Sequence, residues 1–249
     1  MSSGDCYSAL ITGGSRGIGA EVARRLAHEG YHLTIAARDP DRLAATARAL
    51  REETGVAVEP VVALMNDLDQ VRALAKAHAD RYGGMDVLVL SAGTGTAGAV
   101  ADMPAKTYER MLDVNFRAPL TIIQAALPLL RKSAAVHSKV GAKIIALASI
   151  TGVAGEARLA AYGATKAALI SLCETVSLEE SACGVSATAI SPGYVDTDMT
   201  AWKREALAPS AMLTAGDVAE LVLAVTRLSR NAVVPNIVMS RAGDQLWRA

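Results

Sequence analysis

Short apolar runs alternate with longer helical patterns along the whole chain of 249 residues. This alternation is typical of βαβ units, in which each helix returns the chain to the start of the next parallel strand. The run at 85–90 is apolar almost throughout, as expected for a central strand covered on both faces. Right-handed crossovers then place helices on both sides of one twisted sheet. The sequence therefore predicts an α/β fold with a doubly wound parallel sheet of about seven strands.

Gly and Pro residues punctuate the pattern and set the predicted boundaries. Strands are predicted at 7–12, 32–37, around 61–64, 85–90, 143–148, 186–190 and 236–239. Helices are predicted at 17–28, 40–54, 68–82, 107–131, 160–180 and 217–228. Pro119 and Pro128 interrupt the longest helical pattern and should bend it or shift its ends. No linker or repeat divides the chain, so we expect a single domain over 1–249, with a substrate lid around 196–213.

The composition narrows the class of protein. Lys and Arg together number 25, as do Asp and Glu, which argues against a basic surface for nucleic acid. No run of 18 apolar residues is present, so no membrane span is expected. The first residues lack the basic and apolar stretches of a secretory signal, and the 3 cysteines lack metal-ligand spacing. We therefore expect a cytoplasmic protein, and we predict no metal site because the 4 histidines form no ligand cluster either.

The first predicted strand leads into a glycine-rich turn, and a helix follows at once. The turn reads Thr-Gly-Gly-Ser-Arg-Gly-Ile-Gly over residues 12–19. Glycines allow a tight reversal and a close approach of the backbone to a pyrophosphate, and the helix N-terminus offers free N–H groups. Glycine-rich turns are common, but this order of strand, turn and helix indicates dinucleotide binding. The residues expected to bind there are Gly13, Ser15, Arg16, Gly17, Ile18 and Gly19.

The end of the second strand indicates which dinucleotide is bound. NAD sites carry an acidic residue about 20 positions after the turn, where it holds the ribose 2′-OH. Here that position is Ala37, and Arg38 follows it. The guanidinium groups of Arg38 and Arg16 suit a 2′-phosphate, although both could also be ordinary surface arginines. The missing carboxylate favours NADP as the cofactor.

A second group of residues indicates proton chemistry. Tyr162 and Lys166 are four positions apart in a predicted helix and therefore share one face. A nearby ammonium favours the phenolate, so we expect Lys166 to lower the pKa of Tyr162. Ser149 ends the fifth strand at the edge where the glycine turn also lies. A Tyr-x-x-x-Lys pair alone is common by chance, and the nearby Ser149 hydroxyl is what favours a catalytic interpretation.

Together these motifs resemble the short-chain dehydrogenase/reductase family, in its single-domain branch of about this length. The resemblance runs from Ser8 to about Gly243 and implies a Rossmann fold. By this resemblance Tyr162 is the general acid/base, and Ser149 stabilises the substrate oxygen. Lys166 lowers the pKa of the tyrosine and binds the nicotinamide ribose, and Asn115 holds a water in a proton relay. The family's catalytic positions fall on Asn115, Ser149, Tyr162 and Lys166.

The resemblance also implies further cofactor contacts. The backbone of Val195 and Thr197 would fix the carboxamide, and Asp67 and Leu68 resemble the pair that contacts adenine. The complete set beyond the glycine turn and Arg38 is Asp67, Leu68, Ala92, Gly93, Tyr162, Lys166, Pro192, Gly193, Val195 and Thr197. The chain departs from the family pattern at 90–93, which reads Leu-Ser-Ala-Gly where the family often has Asn-Asn-Ala-Gly. That change removes two amide side chains and their stabilising hydrogen bonds.

The predicted activity is hydride transfer between the nicotinamide of NADP(H) and a carbonyl or secondary alcohol. A 3-oxoacyl thioester, a sugar-like ketone and a steroid-like ketone all remain open as the small-molecule substrate. The apolar residues of the predicted lid suit an apolar substrate portion, but they also suit simple anchoring of the lid. The alternative is a non-catalytic NADP-binding sensor or scaffold on the same fold. The resemblance further implies a homodimer or homotetramer, through the helices that begin near Thr107 and Ala160.

Overall fold

A computed structural model describes residues 7–243. One sheet of seven parallel strands runs through the molecule in the order β3-β2-β1-β4-β5-β6-β7. The strands are β1 (Ser8–Thr12), β2 (His32–Ala37), β3 (Val58–Val62), β4 (Val87–Leu90), β5 (Ala142–Leu147), β6 (Val185–Pro192) and β7 (Asn236–Met239). The predicted doubly wound parallel sheet is therefore confirmed. The third strand lies a few residues earlier than the predicted 61–64.

In the described part of the chain, seven α-helices connect the strands. They are α1 (Gly17–His28), α2 (Pro40–Thr54), α3 (Leu68–Tyr82), α4 (Ala105–Leu112), α5 (Ala118–Val136), α6 (Ala160–Glu180) and α7 (Ala215–Thr226). The bounds of α1, α2, α3 and α6 are those that the sequence predicts. α7 begins earlier than the predicted 217, because Thr214 and Asp217 form a capping box in front of it. No helix within residues 7–243 combines the length and apolarity needed to cross a membrane.

The long helix predicted at 107–131 is wrong as a single element. The structure has α4 and α5 instead, joined by a 5-residue π-helical turn, Asp113–Arg117. Pro119 lies in the first turn of α5, where its missing N–H leaves no hydrogen bond unmade. Pro128 lies inside α5, which continues past it to Val136. π-Helical turns occur often at functional sites, and this one contains Asn115.

The sheet separates two apolar cores. Neighbouring residues of each strand point to opposite faces, so Leu88 and Val89 of β4 enter different cores. Both are fully buried, and each such burial contributes about 1.5–3 kcal/mol. Helices α3, α5 and α6 cover one face, and α1, α2 and α7 cover the other. Because both faces are covered, the strands are apolar almost throughout.

The strand order places a ligand crevice at the carboxyl edge of the sheet. β1 lies between β2 and β4, and the chain turns to opposite sides of the sheet after β1 and after β4. Open α/β sheets bind ligands at such a switch point. The segment 196–213 follows β6 at the same edge and contains short 3₁₀ turns. Its ends are held together, since Asp196 N donates to Leu213 O and Leu213 N donates to Tyr194 O, each at 2.9 Å.

Candidate active site

A cleft of about 810 Å³ opens at the carboxyl edge of the sheet. Its walls come from the glycine turn, the ends of β2, β3 and β4, the α4 side and the start of the 196–213 segment. A volume of this size suits a small-molecule or cofactor site. The predicted cofactor residues that line it are Gly13, Ser15, Arg16, Gly17, Ile18, Arg38, Ala92, Gly93 and Thr197.

The glycine turn brings its own backbone into close contact with neighbouring backbone, which only glycine permits. Gly13 and Gly17 have φ values of +69° and +56°, a region that side chains rarely adopt. A Cβ on Gly13 would lie 2.9 Å from the Ala92 backbone nitrogen, and one on Gly19 would overlap the Gly13 carbonyl. Within residues 7–243 no side chain caps the amino end of α1, so its N–H groups face the turn uncapped. The turn therefore fits the phosphates of a dinucleotide.

The two arginines expected at the 2′-phosphate both reach this cleft. Arg38 follows β2 and is exposed. Arg16 lies in the glycine turn, and its Nη1 is 2.8 Å from Asp198 Oδ2 in the 196–213 segment. Both arginines therefore line the cleft, but the Arg16 guanidinium already contacts a carboxylate.

Asp67 and Leu68 do not line this cleft, and their contact with adenine stays a prediction. Asp67 caps α3, because its side chain accepts hydrogen bonds from Asp69 N and Gln70 N, both at 3.1 Å. These bonds hold the pKa of Asp67 below its usual value. The residues after β3 that line the cleft are Ala63, Leu64, Met65 and Asn66. An Asp three positions before a Gln at the start of a helix is a capping pattern, and that signal was available in the sequence.

Lys166 is almost fully buried beside Tyr162. Its side chain is 5% exposed, and Nζ donates to the Leu147 carbonyl at 2.6 Å. Nζ also lies 5.6 Å from the centre of the Tyr162 ring. Burial lowers the pKa of Lys166 to about 8, because the charged form loses solvation. The four-residue spacing thus does put both side chains on one helix face, as predicted.

The pKa of Tyr162 differs from the expectation. Burial raises it to about 12, and a hydrogen bond with Ser149 opposes that rise. The ammonium of Lys166 donates to the Leu147 carbonyl and lies 5.6 Å from the centre of the Tyr162 ring, and the expected lowering of the Tyr162 pKa by Lys166 does not appear. Thr151 fixes the Ser149 side chain, donating to its Oγ from N at 3.2 Å and from Oγ1 at 2.9 Å.

Asn115 joins the loop after β4 to α6. Its Nδ2 donates to Thr94 O at 2.8 Å and to Thr165 Oγ1 at 3.0 Å, and its Oδ1 accepts from Thr94 N at 2.9 Å. The side chain is 1% exposed. A Cβ on Gly93 would lie 3.6 Å from both Asn115 Oδ1 and Lys166 Nζ. Gly93 therefore lies between the cleft and the groups around Tyr162. Gly95 lies close to Tyr162 itself, because a Cβ on Gly95 would be 3.1 Å from the tyrosine ring.

The predicted residues at the end of β6 and after it divide into two groups. Thr197 lines the cleft, and its Cγ2 lies 3.5 Å from the position of a Cβ on Gly17. Pro192, Gly193 and Val195 instead hold the chain in place. Pro192 pairs with β7, and Gly193 N donates to Met239 O at 2.8 Å. The Val195 carbonyl accepts from Thr200 Oγ1 at 2.6 Å.

One group of residues near Tyr162 was not found from the sequence. Tyr194 is 6% exposed and its hydroxyl donates to Glu156 Oε1 at 2.7 Å. Lys203 Nζ lies 3.7 Å from the same oxygen and 4.9 Å from the Tyr194 ring centre. Burial, more than the neighbouring carboxylate, raises the pKa of Tyr194, and Tyr162 also contributes. Glu156 and Tyr194 are 38 positions apart, so no local spacing could reveal the pair.

Comparison with known proteins decides the family. A family model described as short chain dehydrogenase matches residues 7–208. The chain belongs to the short-chain dehydrogenase family. This confirms the resemblance drawn from the glycine turn and the Ser, Tyr and Lys positions.

Individual relatives of this short-chain dehydrogenase agree. An uncharacterized oxidoreductase of Staphylococcus epidermidis is 35% identical over 192 residues, 77% of this chain and 79% of that protein. A putative ketoacyl reductase of Streptomyces coelicolor is 31% identical over 205 residues, 82% and 77% of the two chains. A crystal structure of a variant actinorhodin polyketide ketoreductase with NADPH superposes with a TM-score of 0.85, at 27% identity and with 96% and 97% of the chains covered. The short-chain dehydrogenase is therefore an oxidoreductase.

Proposed function

We propose that this short-chain dehydrogenase reduces ketones with NADPH, and that Tyr162 supplies the proton. The observation that carries the proposal is the grouping of Tyr162, Ser149 and Lys166 beside a glycine-lined cleft, to which Gly93 connects them. The substrate class that we favour is a 3-oxoacyl or similar ketone. The likeness to a putative ketoacyl reductase and to a polyketide ketoreductase supports that choice.

The chain's own residues account for the protein side of the chemistry. NADPH supplies the hydride when bound. Ser149 Oγ accepts two hydrogen bonds from Thr151, which leaves its own hydrogen for the Tyr162 oxygen in the free protein and for the substrate oxygen when a substrate binds. Such a pre-organised donor stabilises charge that develops on that oxygen. Lys166 and Asn115 hold the surrounding groups, and the water relay through Asn115 stays a prediction.

The raised pKa of Tyr162 suits the proposed role of its hydroxyl as a proton donor. A phenol whose pKa is about 12 stays protonated at neutral pH and can donate a proton. Oxidation of an alcohol requires the phenolate, which burial disfavours. Burial raises the pKa of Tyr162, contrary to the expected lowering, and the raised pKa suits a residue that acts as a general acid.

The arginines at the cleft support NADPH over NADH. Arg16 and Arg38 both line it, and the position at which NAD-binding chains carry a carboxylate is Ala37. A 2′-phosphate binds guanidinium groups through charge-assisted hydrogen bonds. The NADPH in the related ketoreductase structure agrees with this choice.

A ketone panel tests the proposal directly. NADPH oxidation is followed with 3-oxoacyl, cyclic and aliphatic ketones, and each rate is repeated with NADH. We expect turnover with NADPH and a KM for NADPH that rises in Arg38→Ala, while Arg48→Ala, an exposed arginine of α2, serves as the matched control. A preference for NADH would contradict the cofactor assignment. Absence of turnover with every carbonyl, despite NADPH binding, would favour a sensor or scaffold.

We also infer a substrate lid over 196–213 within one domain, and a homodimer or homotetramer in solution. Leu178 on the outer face of α6 is 86% exposed, and Tyr108 of α4 is 39% exposed. Contact between copies would cover these side chains. Light scattering on the purified protein gives the mass of the assembly, and a monomeric mass at micromolar concentration would contradict the inference.

A further inference from the structure

Two arginines converge on one carboxylate oxygen at the rim of the cleft. Arg16 Nη1 lies 2.8 Å from Asp198 Oδ2, and Arg42 Nη1 lies 3.7 Å from the same oxygen. The three residues come from separate elements: the glycine turn, the first turn of α2, and the start of the 196–213 segment. Their convergence therefore depends on the fold, since Arg16 and Asp198 are 182 positions apart.

The converging carboxylate lies where a ligand anion is expected. Arg16, Arg38 and Asp198 all line the cleft. Arg16 and Arg38 are the residues that we assign to the 2′-phosphate of NADP(H). An oxygen of Asp198 thus occupies part of the space that a phosphate oxygen would need to bond with Arg16. A carboxylate and a phosphate cannot both use the same guanidinium edge.

The contact between Asp198 and the arginines is weak enough to be exchanged. The side chains of Arg16 and Asp198 are 50% and 65% exposed. Ion pairs this exposed contribute little, because water screens them and long side chains must be ordered. A phosphate carries more charge and three acceptor oxygens, so it binds a pair of guanidinium groups more strongly than one carboxylate does.

We propose that Asp198 is an internal competitor for the 2′-phosphate and that Arg42 is a third cation of that subsite. Binding of the phosphate then replaces Asp198 on Arg16 and Arg42 and releases the start of the 196–213 segment. This inference rests on the proposed NADP(H) preference. Because Asp198 binds the arginines only when the phosphate does not, it lowers the affinity for NADP(H) and leaves the affinity for NAD(H) unchanged.

Binding measurements on Asp198→Asn test the competition. Asparagine keeps the size of the side chain and removes its charge, so the arginines lose their internal anion. We expect the Kd for NADPH to fall about fivefold and the Kd for NADH to stay the same. Arg42→Ala should raise the Kd for NADPH about threefold, again without effect on NADH. Titrations are made by quenching of protein fluorescence at low salt, where exposed charges interact most strongly.

Asp196→Asn is the matched control. Asp196 also forms an exposed ion pair at the start of this segment, with Arg204 Nη2 at 2.8 Å, but its partner is not at the cleft. The control should change neither Kd. Thermal unfolding of each variant shows whether it is folded, so a loss of binding through unfolding is recognised separately.

Trp202 reports on the release of the segment. It is 56% exposed, lies four residues after Asp198, and is one of only 2 tryptophans in the chain. In a Trp247→Phe background it is the sole tryptophan. We expect 2′,5′-ADP, which carries the 2′-phosphate, to change its emission, and 5′-ADP to leave it unchanged. In Asp198→Asn the emission should already match the 2′,5′-ADP state before any nucleotide is added.

Three outcomes overturn the inference. If wild type prefers NADPH but Asp198→Asn keeps the same NADPH-to-NADH ratio of Kd values, the competition is wrong and the proposed function stands. If 2′,5′-ADP and 5′-ADP change Trp202 emission equally, the segment does not respond to the phosphate. If wild type shows no preference for NADPH, the cofactor assignment fails first and this inference fails with it.

Discussion

Buried polar groups occur at both the carboxyl edge and the amino edge of the sheet, but only those at the carboxyl edge lie beside the cleft described above. At the carboxyl edge, Lys166 and Asn115 lie beside a large cleft, with Gly93 between them and the ligand space. At the amino edge, His78 is fully buried and hydrogen-bonds on both sides. Its Nδ1 lies 2.8 Å from Thr34 Oγ1, and its Nε2 lies 3.3 Å from Ser8 Oγ.

At the amino edge, the buried groups lie mainly among other protein groups, and Asp86 Oδ1 is a buried oxygen for which residues 7–243 provide no hydrogen bond. Ser8 N donates to Asp86 Oδ2 at 2.7 Å, and Asp86 Oδ1 lies 3.5 Å from His137 Nε2. Burial raises the pKa of Asp86 and lowers that of His78 to about 4. Perturbed pKa values therefore occur at both edges. What distinguishes the candidate active site is the cleft next to the perturbed groups, because a ligand can reach them there.

Removal of one phenol hydroxyl at each edge gives the largest expected contrast. Tyr162→Phe should lower turnover of a ketone by about 10²–10⁴-fold, since the proton donor is lost, and leave NADPH binding nearly unchanged. Tyr82→Phe is the matched change, because its hydroxyl donates to the Leu33 carbonyl at 2.9 Å away from the cleft. It should lower the free energy of unfolding by about 1 kcal/mol and leave turnover unchanged.

Steady-state kinetics and urea unfolding of both variants check this contrast. Tyr162→Phe with wild-type turnover would contradict the assignment of the proton donor. A loss of turnover in Tyr82→Phe as large as in Tyr162→Phe would show that the comparison between the edges does not separate catalysis from stability.

The second prediction concerns the pH dependence of the free energy of unfolding, to which His78 at the amino edge contributes. Its pKa is about 4 in the folded protein and near 6.5 when unfolded, so between these values the unfolded chain binds more protons. The free energy of unfolding should therefore fall as pH decreases from 6.5 to 4, by at most about 3 kcal/mol from this group. Above pH 6.5 both states are neutral at this position, and His78 adds no further dependence.

Urea unfolding at pH 7 and at pH 4.5, in wild type and in His78→Gln, isolates this group. Glutamine keeps a hydrogen-bonding amide at the site and cannot titrate in this range. We expect the variant to be less stable at pH 7 but to lose less stability on acidification. An identical loss in both proteins would assign the pH dependence to groups other than His78.

The fold could be predicted from the sequence because local rules and tertiary packing agree over most of it. The bounds of α1 and α6 follow from apolar periodicity and from the glycine turn in front of α1. The π-helical turn could not be predicted, since residues 113–117 carry a helical pattern and the partners of Asn115 in the turn, Thr94 and Thr165, are distant in the sequence. Local periodicity contains no information on such a contact.

The site was predictable where it depends on spacing and unpredictable where it depends on burial. Tyr162 and Lys166 share a helix face as their spacing requires, but the direction of the Tyr162 pKa shift depends on desolvation, which spacing does not report. The convergence of Arg42 and Asp198 is likewise a tertiary property. Asp67 is different, because a capping pattern in the sequence already indicated its role.

The smallest contrast compares single hydroxyl groups of buried residues. Ser8 Oγ donates to Gly84 O at 3.1 Å at the amino edge, and Thr165 Oγ1 accepts from Asn115 at 3.0 Å and donates to Tyr162 O at 2.7 Å at the carboxyl edge. Ser8→Ala and Thr165→Val should each lower the free energy of unfolding by about 1 kcal/mol. Only Thr165→Val should also lower kcat, because it removes the hydroxyl that hydrogen-bonds to both Asn115 and the Tyr162 carbonyl, beside the reacting groups. Equal kcat values in the two variants would mean that the Asn115 contacts contribute to stability alone. The two edges would then differ in the cleft and in Tyr162, but the buried hydroxyl groups at both edges would have the same structural role.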